Sequence, residues 1–317
     1  MQVRLRVEAV GLNHLDIWVR KGVSGHRFPL PMTPGSDISG VIEELGPGSE
    51  FTLGSPVLVN PGVSCGRCEA CLGGFDPLCR GYGIFGETQD GGCADFINVP
   101  VQNLIARPAS ISAIQAAALP ISFVTAWSML FRKARIRSGD LVLIQAGGSG
   151  VSIAAIQIAK MVGATVITTV GSDAKIERAR ALGADFVIQY RRQSFREEMK
   201  KIFAAAGKKG CDIVLDHVGK DTFADSIKAL TWGGKLVICG ATSGSEVSID
   251  LKTLFFKNIE ILGSTMGSKS DLLAIVQLVA SGKLRPVIDS TFEMIAIADA
   301  HAKLESREVF GKIVLTN

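Results

Sequence analysis

Four of the seven cysteines lie close together in the run CGRCEACLGGFDPLC, with the spacing C-x2-C-x2-C-x7-C. Four thiolates spaced in this way can surround a zinc ion tetrahedrally and leave no coordination position open, as in structural zinc sites. The alternative is two disulfides or four unrelated thiols, but nothing else in the chain suggests an oxidising compartment. We therefore predict one structural zinc ion, bound by Cys65, Cys68, Cys71 and Cys79.

A glycine turn between a predicted strand, DLVLIQA, and a predicted helix, VSIAAIQIAKMVG, is the second chemical signal. Glycines there let the backbone approach a pyrophosphate, which then lies at the amino end of the helix. Serines occupy the second and third consensus glycine positions, so the turn by itself is equally consistent with a plain tight turn. The residues predicted to bind the cofactor here are Gly147, Gly148, Ser149, Gly150, Val151 and Ser152.

The end of the following strand, ATVITTV, indicates which dinucleotide is bound. Proteins that prefer NAD place an Asp or Glu there to bind the ribose 2′-hydroxyl. This chain has no carboxylate at the strand tip, and Asp173 comes one residue late, where it is expected to begin a helix. Ser172, Lys175 and Tyr190 would suit a 2′-phosphate, although Lys175 and the nearby Arg191 are alternatively plain surface charges. We predict NADP(H) rather than NAD(H).

The predicted secondary structure that must position these residues differs between the first and the later part of the chain. With 317 residues the chain is long enough for two domains. Up to about Ser138 it consists of short strands separated by glycine and proline, which indicates an irregular β domain that carries the cysteines. Strands then alternate with helices, which predicts a parallel, doubly wound sheet. From about Gly267, two helices and a closing strand, GKIVL, are expected to return to the amino-terminal part.

Composition and charge exclude several classes of function. The 34 basic and 30 acidic residues give a slight positive excess rather than a basic stripe, so nucleic acid is not an expected partner. No apolar run has the length of a membrane span, and the amino terminus lacks the apolar core of a signal peptide. We therefore expect a cytoplasmic protein that does not bind membranes.

These features together resemble the medium-chain dehydrogenase/reductase superfamily, which includes zinc alcohol dehydrogenases and quinone oxidoreductases. The resemblance is carried by GLNHLDIWVRKG, PGSDISGVI, the cysteine run, LPISFVTAWSML, the glycine turn, GGKLVICG and VFGKIVL. It implies an α/β protein with a GroES-like irregular β domain (residues 1–121 and 268–317, with the zinc lobe at 62–82) and a Rossmann domain with a doubly wound parallel sheet (122–267). It also implies a homodimer or homotetramer, formed through edge strands such as IEILGS. Relatives usually begin with a further hairpin, so the chain is expected to be short at its amino end.

The chain departs from the zinc alcohol dehydrogenases at the catalytic metal. Those enzymes bind a second zinc ion through a Cys, a His and a Cys, and the resemblance places Asn13, Ser36 and Ile121 at these positions. The positions that resemble their proton relay hold Leu15 and Trp18, and neither side chain can pass on a proton at neutral pH. We therefore expect no catalytic zinc ion, with a site rebuilt from His14, His26 and Asp37 as the alternative.

The resemblance adds further cofactor contacts and leaves two histidines without a role. His217 is expected to line the cofactor cleft or the core, and His301 to lie on the surface of a late helix. By resemblance, His14 faces the cofactor phosphates, Thr125, Cys239, Gly240 and Ala241 surround the nicotinamide, and Lys312 approaches the pyrophosphate and Asp16.

A hydride donor without a Lewis acid suits acceptors that are already electrophilic, such as quinones and C=C bonds conjugated to a carbonyl group. We therefore predict an oxidoreductase that transfers hydride from NADPH to a small, apolar quinone, enal, enone or aldehyde. Asn13 would donate a hydrogen bond to the developing oxyanion or, alternatively, cap the helix that follows it. Trp18 would line the apolar pocket. The alternatives are a zinc-dependent alcohol dehydrogenase and a non-enzymatic NADPH-binding protein.

Overall fold

The structure is a computed structural model that describes residues 2–46 and 50–317. The chain divides into two compact units, Met1–Val124 with Met266–Asn317, and Thr125–Thr265. The strands are β1 Gln2–Gly11, β2 Asp37–Glu44, β3 Pro56–Val59, β4 Gly62–Val63, β5 Gly83–Ile84, β6 Phe96–Pro100, β7 Leu104–Ala106, β8 Leu141–Ile144, β9 Thr165–Val170, β10 Phe186–Gln189, β11 Cys211–Asp216, β12 Leu230–Ile238, β13 Glu260–Gly263, β14 Ile288–Glu293 and β15 Lys312–Thr316.

The helices are short. In the part of the chain that the structure describes, none is long and apolar enough to cross a bilayer. They are α1 His14–Lys21, α2 Glu69–Leu72, α3 Ala113–Ala117, α4 Pro120–Trp127, α5 Gly150–Val162, α6 Ile176–Ala181, α7 Phe195–Ala206, α8 Lys220–Ala229, α9 Leu251–Phe256, α10 Lys269–Ala280 and α11 Ile297–Glu305.

The first unit is built on a seven-stranded sheet in the order β14-β15-β1-β2-β3-β7, with β6 also paired to β1. Strand β1 alternates along its length, so Val3, Leu5 and Val7 are buried while the polar residues between them lie on the other face. Its end pairs antiparallel with β15, and Val10 lies opposite Leu315. This pairing places Lys312, the first residue of β15, next to the segment that follows β1.

The second unit contains a six-stranded parallel sheet in the order β10-β9-β8-β11-β12-β13. Strand β8 is buried along its whole length, which is typical of a parallel sheet covered on both faces. The strand order reverses at β8, so the carboxyl ends of β8 and β11 flank the switch point at which such sheets bind ligands.

Three local features differ from the sequence-based expectations. Strand β14 has no counterpart among the predicted strands, because its residues are partly exposed on both faces and do not alternate cleanly. Helix α4 continues into a π-helical stretch, Ser128–Ala134. The spacing of Ser194 and Glu197 in the sequence predicts a capping box at the start of α7; Ser194 caps the helix, but the Glu197 carboxylate accepts a hydrogen bond from Lys200 instead.

Candidate functional site

The four clustered cysteines lie in a lobe of the first unit, around the short helix α2. Their Sγ atoms all lie within 4.8 Å of one another. Cys71 Sγ is 3.4 Å from Cys68 Sγ and 3.9 Å from Cys65 Sγ. Zn–S bonds of about 2.3 Å in a tetrahedron place the sulfur atoms about 3.8 Å apart, so the lobe has the dimensions of a four-thiolate zinc site.

In the second unit, the glycine turn lies at the carboxyl end of β8 and leads into α5. Ser149 caps this helix, and its Oγ accepts a hydrogen bond from the Ser152 N–H. Gly147 lies against β9, where a Cβ atom would overlap the Thr168 hydroxyl. Ala146 has a φ of 52°, a left-handed conformation that favours glycine. The turn therefore has the close backbone approach and the helix amino terminus that a pyrophosphate site uses, and binding there stays a prediction.

At the carboxyl end of β9, Gly171 and Ser172 follow the last strand residue, and no carboxylate stands there. The Tyr190 hydroxyl packs against Gly171, because a Cβ atom on this glycine would lie only 2.7 Å from that hydroxyl oxygen. Asp173 begins a 3-10 turn, and its carboxylate pairs with Arg192 and accepts a hydrogen bond of 3.4 Å from Gln189 Nε2. The acidic group closest to the strand tip is thus already engaged by a guanidinium group.

The segment after β12 lies beside the end of β11. The Cys239 N–H donates to Asp216 O at 3.3 Å, and Gly240 packs against His217. Burial raises the pKa of Cys239 to about 12, so this thiol stays protonated at neutral pH. Thr125, another predicted nicotinamide contact, is a buried residue of α4. The roles of Thr125, Cys239, Gly240 and Ala241 at the nicotinamide stay predictions.

In the first unit, Asn13 occupies the N-cap position of α1, and its backbone N–H donates to the Asp16 carboxylate at 2.7 Å. Its side-chain amide is turned towards neighbouring groups. Nδ2 donates to Asp37 Oδ2 at 3.0 Å and to Gly11 O at 3.3 Å, and Oδ1 accepts from Lys312 Nζ at 2.7 Å. An ammonium group only donates, so this last contact fixes the amide orientation. Both Nδ2 hydrogens are engaged, and the predicted bond to an oxyanion would have to replace one of these contacts.

Asp37 and Lys312 form a buried ion pair at this point. Lys312 Nζ lies 2.9 Å from Asp37 Oδ2, and the two side chains are 6% and 0% exposed. The other carboxylate oxygen accepts a hydrogen bond of 2.8 Å from the Ile121 N–H. The ammonium group of Lys312 is therefore held inside the first unit, a role that the resemblance did not imply. Its predicted approach to the cofactor stays a prediction.

A second buried carboxylate, Asp16, lies beside this pair. Its two oxygens accept hydrogen bonds from the N–H groups of Asn13 (2.7 Å) and Gly35 (2.9 Å). Burial nevertheless raises the pKa of Asp16 to about 6, and the nearby negative charge of Asp37 adds to the rise. Burial, together with Asp16, also holds the pKa of the Cys93 thiol well above its usual range.

These contacts bring together the three positions that the resemblance assigned to catalytic zinc ligands. Asn13 and the Ile121 N–H both bind Asp37, and Ser36 is its chain neighbour. The group bound between the oxygen atoms here is the Lys312 ammonium, and a divalent cation at the same place would be repelled by it. Among residues 2–46 and 50–317, the cysteine lobe is the one cluster of three or more metal-binding side chains. The site does not fit a catalytic zinc ion.

The remaining predicted residues of this unit have simpler surroundings. Trp18 lies half-buried on α1, and His14 and His26 are exposed. The roles of Trp18 in substrate binding and of His14 in phosphate binding stay predictions.

His301 is a correction, because it is buried rather than on the surface. Its Nδ1 lies 3.3 Å from Arg20 Nη1, so α11 packs against α1 at this point. Burial and the Arg20 charge lower the pKa of His301.

Sequence reasoning missed two contacts of the candidate sites. The pairing of Asp37 with Lys312 joins residues 275 positions apart. The approach of His217 Nε2 to Ser149 Oγ, at 2.5 Å, joins residues 68 positions apart. An aspartate in the PGSDISG segment and a lysine in the closing strand were both visible in the sequence, but no local pattern connects them.

Comparison with known proteins agrees with this architecture. The family described as alcohol dehydrogenase GroES-like domain matches residues 1–109, and the family described as zinc-binding dehydrogenase matches residues 150–281. The chain is 32% identical to an NAD-dependent alcohol dehydrogenase of Saccharolobus solfataricus, covering 99% of this chain and 92% of that one. It is 29% identical to quinone oxidoreductase-like protein 2 of Bos taurus, covering 99% and 85%.

A solved structure described as an NAD-dependent alcohol dehydrogenase is 47% identical, with a TM-score of 0.94 over 100% of this chain and 92% of that one. The predicted α/β fold, a GroES-like domain with a Rossmann-like parallel sheet, is confirmed by these matches. They also support a structural zinc ion at the cysteine cluster and a nicotinamide cofactor. The chain therefore belongs to the medium-chain dehydrogenase/reductase superfamily and is an NAD(P)-dependent oxidoreductase.

Proposed function

We propose that this protein transfers hydride from NADPH to an activated acceptor, a quinone, enal, enone or aldehyde, without a catalytic zinc ion. The observation that carries the proposal is the Asp37–Lys312 ion pair, which lies among the positions where related enzymes bind the catalytic metal. Without a Lewis acid to stabilise its alkoxide, a saturated alcohol is a poor hydride donor, whereas conjugated acceptors already carry an electrophilic carbon. The relative named as a quinone oxidoreductase-like protein supports an acceptor of this class.

Bound nicotinamide dinucleotide supplies the hydride, and the chain's own residues bind and orient it. The amino end of α5 and the backbone of the glycine turn would hold the phosphates, with Gly147 permitting close approach. Asn13 would stabilise charge on the acceptor by exchanging its longest hydrogen bond, the 3.3 Å contact with Gly11 O, for one to the developing oxyanion. Trp18 would contribute an apolar wall.

We further propose NADP(H) as the preferred cofactor. The absence of a carboxylate at Gly171 and Ser172, and the engagement of Asp173 by Arg192, support a site for a 2′-phosphate. Lys175 would contribute a positive charge to it. The relatives named as NAD-dependent enzymes favour the opposite preference, so the ratio of the two cofactors is the direct test.

We also propose a homodimer or homotetramer formed through β13, which lies at the edge of the six-stranded sheet. Large exposed apolar side chains lie on neighbouring elements. Trp232, which is 69% exposed, is on β12, the strand paired with β13, and Phe255, which is 60% exposed, is on α9, the helix before β13. An edge strand with unpaired backbone groups can pair with the same strand of a second copy about a twofold axis. The molar mass measured by light scattering, compared between the wild type and Ile261→Lys, tests this assembly.

The first experiment is to count zinc and measure turnover on one preparation, purified without chelator or added metal. We expect one zinc ion per chain, oxidation of NADPH with a quinone or an enal, and the same rate after brief treatment with EDTA. Two zinc ions per chain, with alcohol oxidation that EDTA abolishes, would support a zinc-dependent alcohol dehydrogenase instead. Tight NADPH binding without turnover of any acceptor would support a non-enzymatic protein.

The cofactor preference is tested on the same assays. We expect the KM for NADPH to lie below that for NADH. Lys175→Ala should raise the KM for NADPH about tenfold, the effect of losing one charged contact worth about 1.4 kcal/mol, and should leave that for NADH unchanged. Lys228→Ala, which removes an exposed lysine at the end of α8, is the matched control. A wild-type preference for NADH would refute the proposed cofactor.

A further inference from the structure

His217 follows the last residue of β11 and lies where three segments of the candidate dinucleotide site meet. Its Nε2 is 2.5 Å from Ser149 Oγ and 3.3 Å from Ser152 Oγ. Ser149 is the N-cap of α5, and Ser152 lies in the first turn of that helix. The imidazole therefore contacts the glycine turn through the two side chains that depart from the glycine consensus.

The serine hydroxyl groups of this cluster form a chain in which each donates to the next acceptor. Ser152 Oγ donates to Gln145 O at 2.7 Å, and a carbonyl oxygen can only accept. Ser149 Oγ donates its single hydrogen to Ser152 Oγ at 3.0 Å. In this arrangement the hydrogen between Ser149 Oγ and the imidazole comes from the His217 tautomer that is protonated at Nε2, and both hydroxyl groups then have one orientation.

The backbone of His217 is fixed from the other side. Its carbonyl oxygen accepts hydrogen bonds from Thr242 N (3.3 Å) and Thr242 Oγ1 (3.4 Å). A Cβ atom on Gly240 would lie 3.5 Å from the His217 Cβ atom. The preceding Asp216 carboxylate is buried and accepts hydrogen bonds from Val218 N (2.8 Å) and Gly219 N (3.1 Å). The imidazole thus joins two rigid segments, one after β8 and one after β12.

We propose that His217 is a positioning residue for the dinucleotide site, which sets the orientation of Ser149 and Ser152 and hence of the phosphate-binding turn. In a consensus turn, glycines at these positions need no such partner, because they carry no side chain beside the phosphates. The two serines of this chain introduce hydroxyl groups at the same place, and the histidine donor gives them a defined arrangement. The proposal rests on the proposed dinucleotide binding.

A double-mutant cycle on the dissociation constant of NADPH, measured by calorimetry, tests this role. We expect His217→Leu to raise the dissociation constant about tenfold, which corresponds to 1.4 kcal/mol. His217→Gln, whose amide nitrogen can replace Nε2 as a donor, should stay within about threefold of the wild type. Ser149→Gly, which restores the consensus glycine, should also keep the dissociation constant within about threefold of the wild type. In the Ser149→Gly background, His217→Leu should have no further effect.

The controls separate the possible failures. His26→Leu removes an exposed histidine of the first unit and should leave the dissociation constant unchanged. Melting temperatures identify any variant that fails to fold, and the folded glutamine variant then decides the result. Independent, multiplying effects of His217→Leu and Ser149→Gly would overturn the positioning role while leaving the proposed function intact. A wild-type protein that binds neither NADPH nor NADH would overturn the proposed function, and this inference with it.

Discussion

Replacement of Lys312 by methionine tests the buried ion pair that distinguishes the first unit. The change keeps most of the apolar stem but removes the ammonium group, which lies 2.9 Å from Asp37 Oδ2 and 2.7 Å from Asn13 Oδ1. Asp37 would keep its hydrogen bonds from Ile121 N and Asn13 Nδ2, but its charge would be buried without a counter-ion.

The magnitude follows from burial and distance. Two unit charges 2.9 Å apart interact by about 6 kcal/mol at an effective dielectric constant of about 20. Removing one partner of a buried pair costs about 3–5 kcal/mol, because the remaining charge stays desolvated. We therefore expect Lys312→Met to lower the free energy of unfolding by about 3–5 kcal/mol. Asp37→Asn combined with Lys312→Met should cost at least about 1 kcal/mol less than the sum of the single changes.

The assay is urea unfolding at pH 7, followed by the fluorescence of Trp18 on α1 after Trp127 and Trp232 have been replaced by phenylalanine. Trp18 then reports on the first unit. Arg6→Met is the control, since Arg6 and Glu43 form an ion pair at 3.4 Å whose side chains are about half exposed. Pairs of this kind contribute about 0–1 kcal/mol. A cost below about 1 kcal/mol for Lys312→Met, or strict additivity in the double variant, would refute the reasoning.

Three further predictions concern the zinc lobe, Asp16 and the glycine turn. Cys71→Ser should release the zinc ion and lower the melting temperature by more than about 5 °C, since structural zinc supplies folding free energy. The control is Cys239→Ser, which lies outside the lobe and should retain one zinc ion per chain. Burial raises the pKa of Asp16 to about 6 from 3.8, so the unfolded chain loses this proton first as the pH rises. The free energy of unfolding should therefore fall by up to about 3 kcal/mol between about pH 4 and pH 6, and urea titrations of Asp16→Asn should show a flatter profile. Ala146→Gly should raise the free energy of unfolding by about 0.5–1 kcal/mol, because Ala146 has a φ of 52°, and a lower melting temperature would contradict this.

The secondary structure could be predicted where the pattern is local. The alternation of β1, the buried run of β8 and the glycine at the end of α5 are all read within one element. Strand β14 could not be predicted in this way. It lies at the edge of the seven-stranded sheet with both faces partly exposed, so its residues show no clear alternation of apolar and polar side chains. The burial of His301 was also hidden, since a helix sequence does not state which element will cover a polar residue.

The sequence by itself determined the cysteine lobe and the glycine turn. Their residues lie within a few positions of one another, and the chain can bring them together without any other element. Only the tertiary structure decided that Lys312 pairs with Asp37, and that His217 contacts Ser149. These contacts depend on which strands become neighbours, β15 beside β1 and β11 beside β8. That choice is made by the packing of the whole sheet, so no spacing along the chain records it.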